Sequence, residues 1–513
     1  MLWYLIAIPL LAGLIAFVVP WNWPRRLLFL ATALAHAGFT AQTFRETPDA
    51  VLNGWIGLDA ASSLFLAITS FVFLITAFYA IGYMRRESAR STEASGIELP
   101  FKNYPEATFT GCCLLFLAAM TLVNLSRHWG LLWVAVEATT LASAPLIYFH
   151  RSPKSLEATW KYLMICSVGI ALALLGNFFL MVAARGGSTG HLFLTIGNLE
   201  AHAKELDPLW LKAAFLLLLV GYGTKMGLAP LHTWLPDAHS EAPSFVSALL
   251  SGVLLNCAFL AILRGHSLLV KAGLGEFSQD LLVLFGLISM AVAALFIINQ
   301  ADYKRLLAYS SIEHMGILAL GVGIGGFAGF GAMLHAVNHS VAKAMLFLAA
   351  GNTLAYFHTK STLEARGTLR LLPMTGMLWI IGLLAITGSP PFGAFVSEFA
   401  VLKGMIDTGR IAVAVFYLAA LSIVFVGMSA VLLPIVYGTP KNSPLPTNLR
   451  SVPGEGPGVR ASQVTPTVKL LSEPLWSILP PILLAAAALF LGLYMPEPLS
   501  FLLHDAAKAV GAE

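Results

Sequence analysis

The chain has 513 residues, of which 58% are apolar and only 11% charged, and its mean hydropathy is +0.80. Soluble domains carry about 25% charged residues, so this composition excludes a string of soluble domains and makes lipid the solvent of most of the surface. The net charge of +4 gives no basic excess of the kind a nucleic-acid partner requires.

Long unbroken apolar runs of the length that crosses a bilayer as a helix, about 20 residues, lie at 2–19, 27–44, 58–83, 108–125, 129–149, 160–183, 209–229, 243–264, 280–299, 305–324, 327–357, 371–404, 411–437 and 475–495. The ten-residue alternation of a membrane barrel is not seen. The expectation is an all-α polytopic membrane protein with about fourteen transmembrane helices. The first run has no basic residue ahead of it and is followed by Arg25 and Arg26, the wrong order for a cleaved signal peptide.

With the N-terminus outside, the loops assigned to the cytoplasm hold seventeen Lys and Arg and the outer segments hold eight. The positive-inside rule then places both termini outside. Segment 438–474, rich in Pro, Gly and Ser and basic, reads as a flexible cytoplasmic loop. The four cysteines sit in apolar runs without clustering, so no iron–sulfur or nickel–iron centre is expected, and no cofactor or metal is assigned to this chain.

Ionisable residues inside spans are costly and point to function. Glu137 lies in span 5, Lys225 in span 7, Lys343 in span 11 and Glu398 in span 12. Structural ion pairs between helices are the competing reading. In span 11, His335, His339 and Lys343 recur every four residues and form one stripe about 12 Å long. Imidazole both accepts and donates a proton near neutral pH, so the stripe reads as a proton relay. A polar helix contact is the plainer alternative, and a zinc site would need a third ligand that the neighbouring sequence does not supply.

Spans 7 and 12 carry Gly-Leu-Ala-Pro at 227–230 and Gly-Ser-Pro-Pro-Phe-Gly at 388–393, both helix-breaking. Broken helices at matching places in two halves point to an inverted repeat around an ion path. Spans 4–8 and 9–13 are such halves, each with its break in the fourth span beside one charge, Lys225 or Glu398. The expected organisation is 1–107 for the first three spans, 108–264 and 280–437 for the two repeats, 438–474 for the loop, and 475–513 for the last span and tail. Gly321-Val-Gly-Ile-Gly-Gly326 matches a dinucleotide fingerprint, but it follows no strand, and close helix approach explains it better.

The stretch GYGTKMGLAPLHTWLPDAHSEAPSFVSALLSGVLLNCAFLAILR at 221–264 resembles the signature of the antiporter-like membrane subunits of respiratory complex I, group 4 nickel–iron hydrogenases and multi-subunit cation/proton antiporters. AHSEAP, LLSGVLLN and the SPPFG turn most resemble the F-type subunit of hydrogenase-4-like complexes; there is also similarity to the M-type subunit of NADH-quinone oxidoreductase. The resemblance implies a proton-translocating subunit of a larger complex I-like or hydrogenase complex in the cell (inner) membrane. It carries no redox centre itself and is driven by redox chemistry in a peripheral arm and partner membrane subunits. By the same resemblance Glu137 pairs with Lys225, and His335, His339 and Lys343 form the relay. Glu398 is its terminal glutamate, and His232, His239 and Asn256 line a secondary path. Asn256 stands where many relatives have a lysine, and no long lateral helix is expected after span 14. A cation/proton antiporter subunit, an ion-gradient-driven uptake complex and a structural membrane piece are the alternatives, and sodium in place of protons stays open.

Overall fold

The computed structural model describes residues 1–93, 106–185, 194–439 and 473–512. The 438–474 loop lies outside the described residues from 440 to 472, and so does Lys102. In chain order the helices are α1 Leu2–Val18, α2 Asn22–Thr43, α3 Ala60–Glu93, α4 Glu106–Leu125, α5 Trp129–Ile147, α6 Pro153–Arg185, α7 Ile196–Ala201, α8 Pro208–Met226, α9 Trp234–Glu241 and α10 Ser244–Leu249. They continue with α11 Leu255–Lys271, α12 Gly275–Ile297, α13 Tyr303–Ile324, α14 Phe327–Phe357, α15 Thr368–Leu371, α16 Pro373–Ile386, α17 Gly393–Asp407, α18 Ile411–Tyr437, α19 Leu475–Leu493 and α20 Glu497–Ala509. Among the described residues the only β-type pairing is a few isolated bridges. Among the described residues, ten helical segments are long and apolar enough to cross a membrane.

The helices differ in what surrounds them. The most apolar stretches of the α10–α11 segment and of α13 are wholly buried, whereas those of α12 and α18 are buried over 44% and 33% of their residues. Leu295 on α12 and Val415 and Val426 on α18 are exposed. An apolar girdle around a bundle with a buried polar centre is the pattern of a protein solvated by lipid. Small residues bring the inner helices together. A Cβ on Gly286 would stand 2.8 Å from the Gly316 carbonyl oxygen, and the reverse holds equally, so α12 and α13 touch backbone to backbone. Gly321 meets Ala328 and Ala332 of α14, and Gly323 meets α12 at the Gln279 carbonyl. The glycine motif thus serves close packing.

The breaks fall where the sequence places them. Asp207 caps α8 by accepting from the Leu209 and Trp210 amides, with Pro208 in the first turn. Gly227, at φ +84°, ends the helix in the left-handed conformation. The chain turns through Pro230 and resumes as α9. Likewise α16 stops at Ile386, Gly388 takes φ +61°, and α17 starts at Gly393 after Pro390-Pro391.

Three expectations need correction. Span 8 does not end at 264 but runs to Lys271, so Arg264, assigned to an outer segment, lies within α11 and is 2% exposed. Lys304, assigned to a loop, is fully buried in the first turn of α13. A further helix, α20, follows the last span; thirteen residues with Glu497, His504 and Lys508 are too few and too polar to register as a crossing.

Candidate functional site

Two groups of buried polar side chains occupy the middle of the bundle. In the first, Lys225, in the last turn of α8, has no exposed surface. Its ammonium donates to the Thr140 hydroxyl at 2.9 Å and the Tyr162 hydroxyl at 2.6 Å, and sits 4.5 Å from the Tyr162 ring centroid. Thr140 donates onward to Glu137 Oε2 at 3.2 Å, and Ser167 donates to Glu137 Oε1 at 3.1 Å. Glu137 and Lys225 are therefore brought together, but through a hydroxyl, not as a direct ion pair. Thr140 follows Glu137 by three residues and so shares its face of α5. Tyr162, from α6, closes the pocket with its hydroxyl 2.6 Å from Ser143 Oγ.

The second group is built on α14. His335, His339 and Lys343 are fully buried on one face of it. They do not bond to one another; each is held by a neighbouring helix. Lys343 donates to the Leu307 carbonyl at 2.8 Å, and Ser311 donates to the same oxygen at 3.0 Å. Ser311 Oγ lies 2.8 Å from Ser251 Oγ, and the Ser251 carbonyl is 3.4 Å from His339 Nε2. His314 of α13 stacks on His335, with His314 Nδ1 2.8 Å from His335 Nε2, and its ring centroid is 5.1 Å from that of His339. His335 Nδ1 reaches Ser397 Oγ of α17 at 3.0 Å. Next to Ser397, Glu398 is 6% exposed and its Oε1 has no hydrogen-bond partner.

Asn256 lies between the groups, just past a π-helical stretch at Leu250–Leu254, and donates to Ser340 Oγ of α14 at 2.7 Å and to the Gly252 carbonyl at 3.1 Å. Wider helical turns of this kind often accompany functional positions. His239, on α9, stacks on Phe347 at 5.0 Å with neither ring nitrogen hydrogen-bonded. His232, in the α8–α9 break, is 8% exposed, and its Nδ1 is unpartnered. Among the described residues no hydrogen bond joins the Lys225 group to the α14 group. Buried polar atoms are nearly always satisfied by protein or water, and along this stretch His239, His339 Nδ1, His314 Nε2 and the Asn256 side-chain carbonyl oxygen make no hydrogen bond to protein.

Sequence reading missed Glu313 and His314, which are 2% and 1% exposed in α13. The signal was present, since an ionisable pair in the span 305–324 is as anomalous as Lys225. Lys304 was missed too; it donates to the Ser240 and Ala242 carbonyls at 3.1 and 2.5 Å. Beside it a polar cleft of about 430 Å³ is lined by Lys161, Asp237, Glu241, Arg305 and Lys360 among others. His150, in the turn after α5, is held down at about 4 by burial and then by the charges of Lys304 and Lys360, so it is neutral at physiological pH.

The family described as NADH:quinone oxidoreductase/Mrp antiporter, TM, matches residues 126–424, the stretch that holds both polar groups. The chain is 38% identical over 376 residues to the hydrogenase-4 component F homolog of Methylacidiphilum infernorum, covering 73% of this chain and 77% of that protein. It is 30% identical to hydrogenase-4 component B of Escherichia coli, covering 75% of this chain and 56% of that one. In fold it is similar to a chain of the archaeal membrane-bound sulfane sulfur reductase, with TM-score 0.83, 20% identity, and 99% and 97% of the two chains covered. A chain of the Mrp complex from Dietzia sp. gives TM-score 0.80 at 21% identity over 99% and 96%. One of respiratory complex I from Thermus thermophilus gives 0.72 at 24% over 96% and 97%. The chain belongs to the NADH:quinone oxidoreductase/Mrp antiporter family of membrane subunits.

Proposed function

We propose that the chain is a proton-translocating membrane subunit of a complex I-like respiratory or hydrogenase complex, moving protons through the buried Glu/Lys/His network. The observation that carries this reading is Lys225. It is fully buried, its donors go to neutral hydroxyls, and Thr140 links it to a carboxylate. An ammonium without a carboxylate in direct contact, inside a low-dielectric bundle, costs several kcal/mol. Its charge state therefore responds to how near Glu137 comes. At about 5 Å and an effective dielectric near 20 the pair is worth about 3 kcal/mol. Moving a proton against about 150 mV takes about 3.5 kcal/mol. Opening and closing one contact is of the right size to gate proton release.

In this reading Glu137 and Lys225 load the proton. Asn256 and water carry it to His339, His314, His335 and Lys343, and Glu398 releases it, with His232 and His239 on a secondary path. The two interrupted segments, α8–α9 and α16–α17, are the equivalent elements of two inverted five-span repeats. Redox chemistry in partner subunits and a peripheral arm supplies the energy, with no cofactor in this chain. The complex sits in the cell inner membrane with both termini of this chain outside. A subunit of a multi-subunit cation/proton antiporter is the second reading; it is supported by the Mrp likeness and would be recognised by sodium-dependent transport without any redox activity.

The test is Lys225→Arg. Guanidinium keeps the charge but holds its proton far more tightly than an amine. The variant complex should assemble on native gels yet lose most of its proton uptake in vesicles. Lys225→Ala, which removes a buried charge, should also assemble without pumping. Normal pumping by Lys225→Arg would sink the carrier role.

A further inference from the structure

We propose that His314, His335 and Glu398 form a binding site for a zinc-class divalent cation at the end of the histidine network. The three come from α13, α14 and α17. They are 1%, 0% and 6% exposed, and one ligand atom from each lies within 4.8 Å of the others. No ion is needed to hold the helices there, because the residues are already positioned by the protein.

The hydrogen bonds fix which lone pairs are free. The Ser397 hydroxyl has one proton, and its 2.9 Å contact with the Ala394 carbonyl requires that Ser397 donate it. Ser397 Oγ then accepts from His335 Nδ1–H at 3.0 Å. His335 Nε2 is left with its lone pair and accepts from His314 Nδ1–H at 2.8 Å. In that tautomer His314 Nε2 carries the remaining lone pair; it makes no hydrogen bond of regular geometry, and the Ile386 carbonyl lies near the ring as a competing partner. Glu398 Oε1 is likewise buried without a partner. A metal ion takes these orphaned acceptors together with His335 Nε2, which the ion frees by displacing the His314 contact.

The donor set selects the metal. Two neutral imidazoles and a carboxylate, with one position left for water, suit zinc or its neighbours. Magnesium, calcium and sodium want all-oxygen surroundings. Ser397 supplies the outer hydrogen bond that orients a metal-binding histidine. The second ligand on α14 that a zinc site would draw from His335 and His339 is not used. The third ligand missing from the local sequence is Glu398, 63 residues beyond His335 and brought alongside by the α16–α17 break. Binding depends only on these three side chains. Its consequence, arrest of proton transfer because the ion occupies three relay groups at once, rests on the function proposed above.

The full-length chain, purified in detergent on a histidine-free tag and stripped with a chelator, is titrated with cobalt chloride. The expected result is one equivalent of cobalt with the intense visible absorption of a four-coordinate site, displaced by one equivalent of zinc chloride. His314→Gln and Glu398→Gln should each weaken binding by at least about 100-fold, with unchanged thermal unfolding showing that they are folded. His202→Gln, outside the site, should leave the absorption intact. Absence of the band at millimolar cobalt, or its survival in both ligand variants, overturns the proposal. Zinc is then applied to vesicles holding the intact complex. Zinc bound with proton uptake arrested supports both the site and the relay. Zinc bound with uptake unchanged keeps the site and overturns the relay reading.

Discussion

Glu398 owes its place to a residue with no side chain. Gly388 has φ +61°, and a Cβ built on it would stand 1.8 Å from Glu398 Oε2. The carboxylate is pressed against bare backbone at the α16–α17 break. Gly388→Ala incurs two costs, the strain of a left-handed conformation, about 1 kcal/mol, and displacement of the carboxylate. Gly409, at φ +71° with nothing within 4 Å of its Cβ position, separates them. Gly409→Ala should lose a little thermal stability and pump normally, whereas Gly388→Ala should assemble and lose at least about ten-fold in proton uptake. Equal uptake in the two variants would show that the carboxylate's position is immaterial. At this scale the sequence shows charges and hides their partners. Glu137, Lys225, Lys343 and Glu398 stand out from apolar runs, but Thr140 and Tyr162, which hold the lysine, are hydroxyls of a kind common in any membrane helix. Glu313 and His314 are visible by the same rule, although they lack the four-residue spacing of the α14 stripe.

Among the elements, the breaks were legible because Gly and Pro act locally. The π-helical stretch before Asn256 was not, since no residue type signals it. The extent of α11 was hidden for another reason: Arg264 looks like a span end, and only the fold shows it neutralised. Arg264 donates to both oxygens of Asp59, and Arg127 adds a further contact to Oδ2. Asp59 also accepts from the Ser62 amide at 2.8 Å and so caps α3. The clamp joins the start of α3, the α4–α5 turn and the middle of α11. Burial acts to raise the Asp59 carboxyl, but Arg264, Arg127 and the Ser62 amide outweigh it and hold it below the usual carboxylate range. A group depressed on folding contributes stability that is complete above its unfolded value, about 3.9, and is lost as pH falls below that. Asp59→Asn leaves Arg264 buried without its counter-charge and should cost about 3–5 kcal/mol. The gap in thermal midpoint between wild type and variant should be constant from about pH 8 to 5 and shrink below about 4. A gap that stays open in acid would mean that the aspartate acts through packing, not charge.

For the molecule as a whole, the polar centre and the apolar girdle separate two kinds of charge. Inside, charges are few, and Lys225, Lys343 and Arg264 are held by named partners. Outside the spans, they cluster toward one end. Lys154, Lys161, Arg305 and Lys360 surround the polar cleft with Asp237 and Glu241, and Arg26 pairs with Glu106 at the start of α4. The other end holds the Asp59 clamp and the Lys271–Glu200 pair. The basic excess in the sequence survives the transfer of Arg25, Lys304 and Arg264 from loops into buried helical positions, since two leave the seventeen and one leaves the eight, and fifteen remain against seven. Lysine and arginine near span ends are retained in the cytoplasm during insertion, so the cleft end should face the cytoplasm and both termini the opposite side. Alkaline phosphatase and fluorescent-protein fusions after Arg90 and after Arg450 should both report a cytoplasmic position, and a fusion at Glu513 an outer one. Because every span reverses the chain, the sites are not independent. A phosphatase-active fusion at Arg90 with a fluorescent one at Glu513 would invert the whole bundle. It would also reverse the proposed direction from Lys225 to Glu398, leaving every side-chain contact in place while the subunit carried protons the other way.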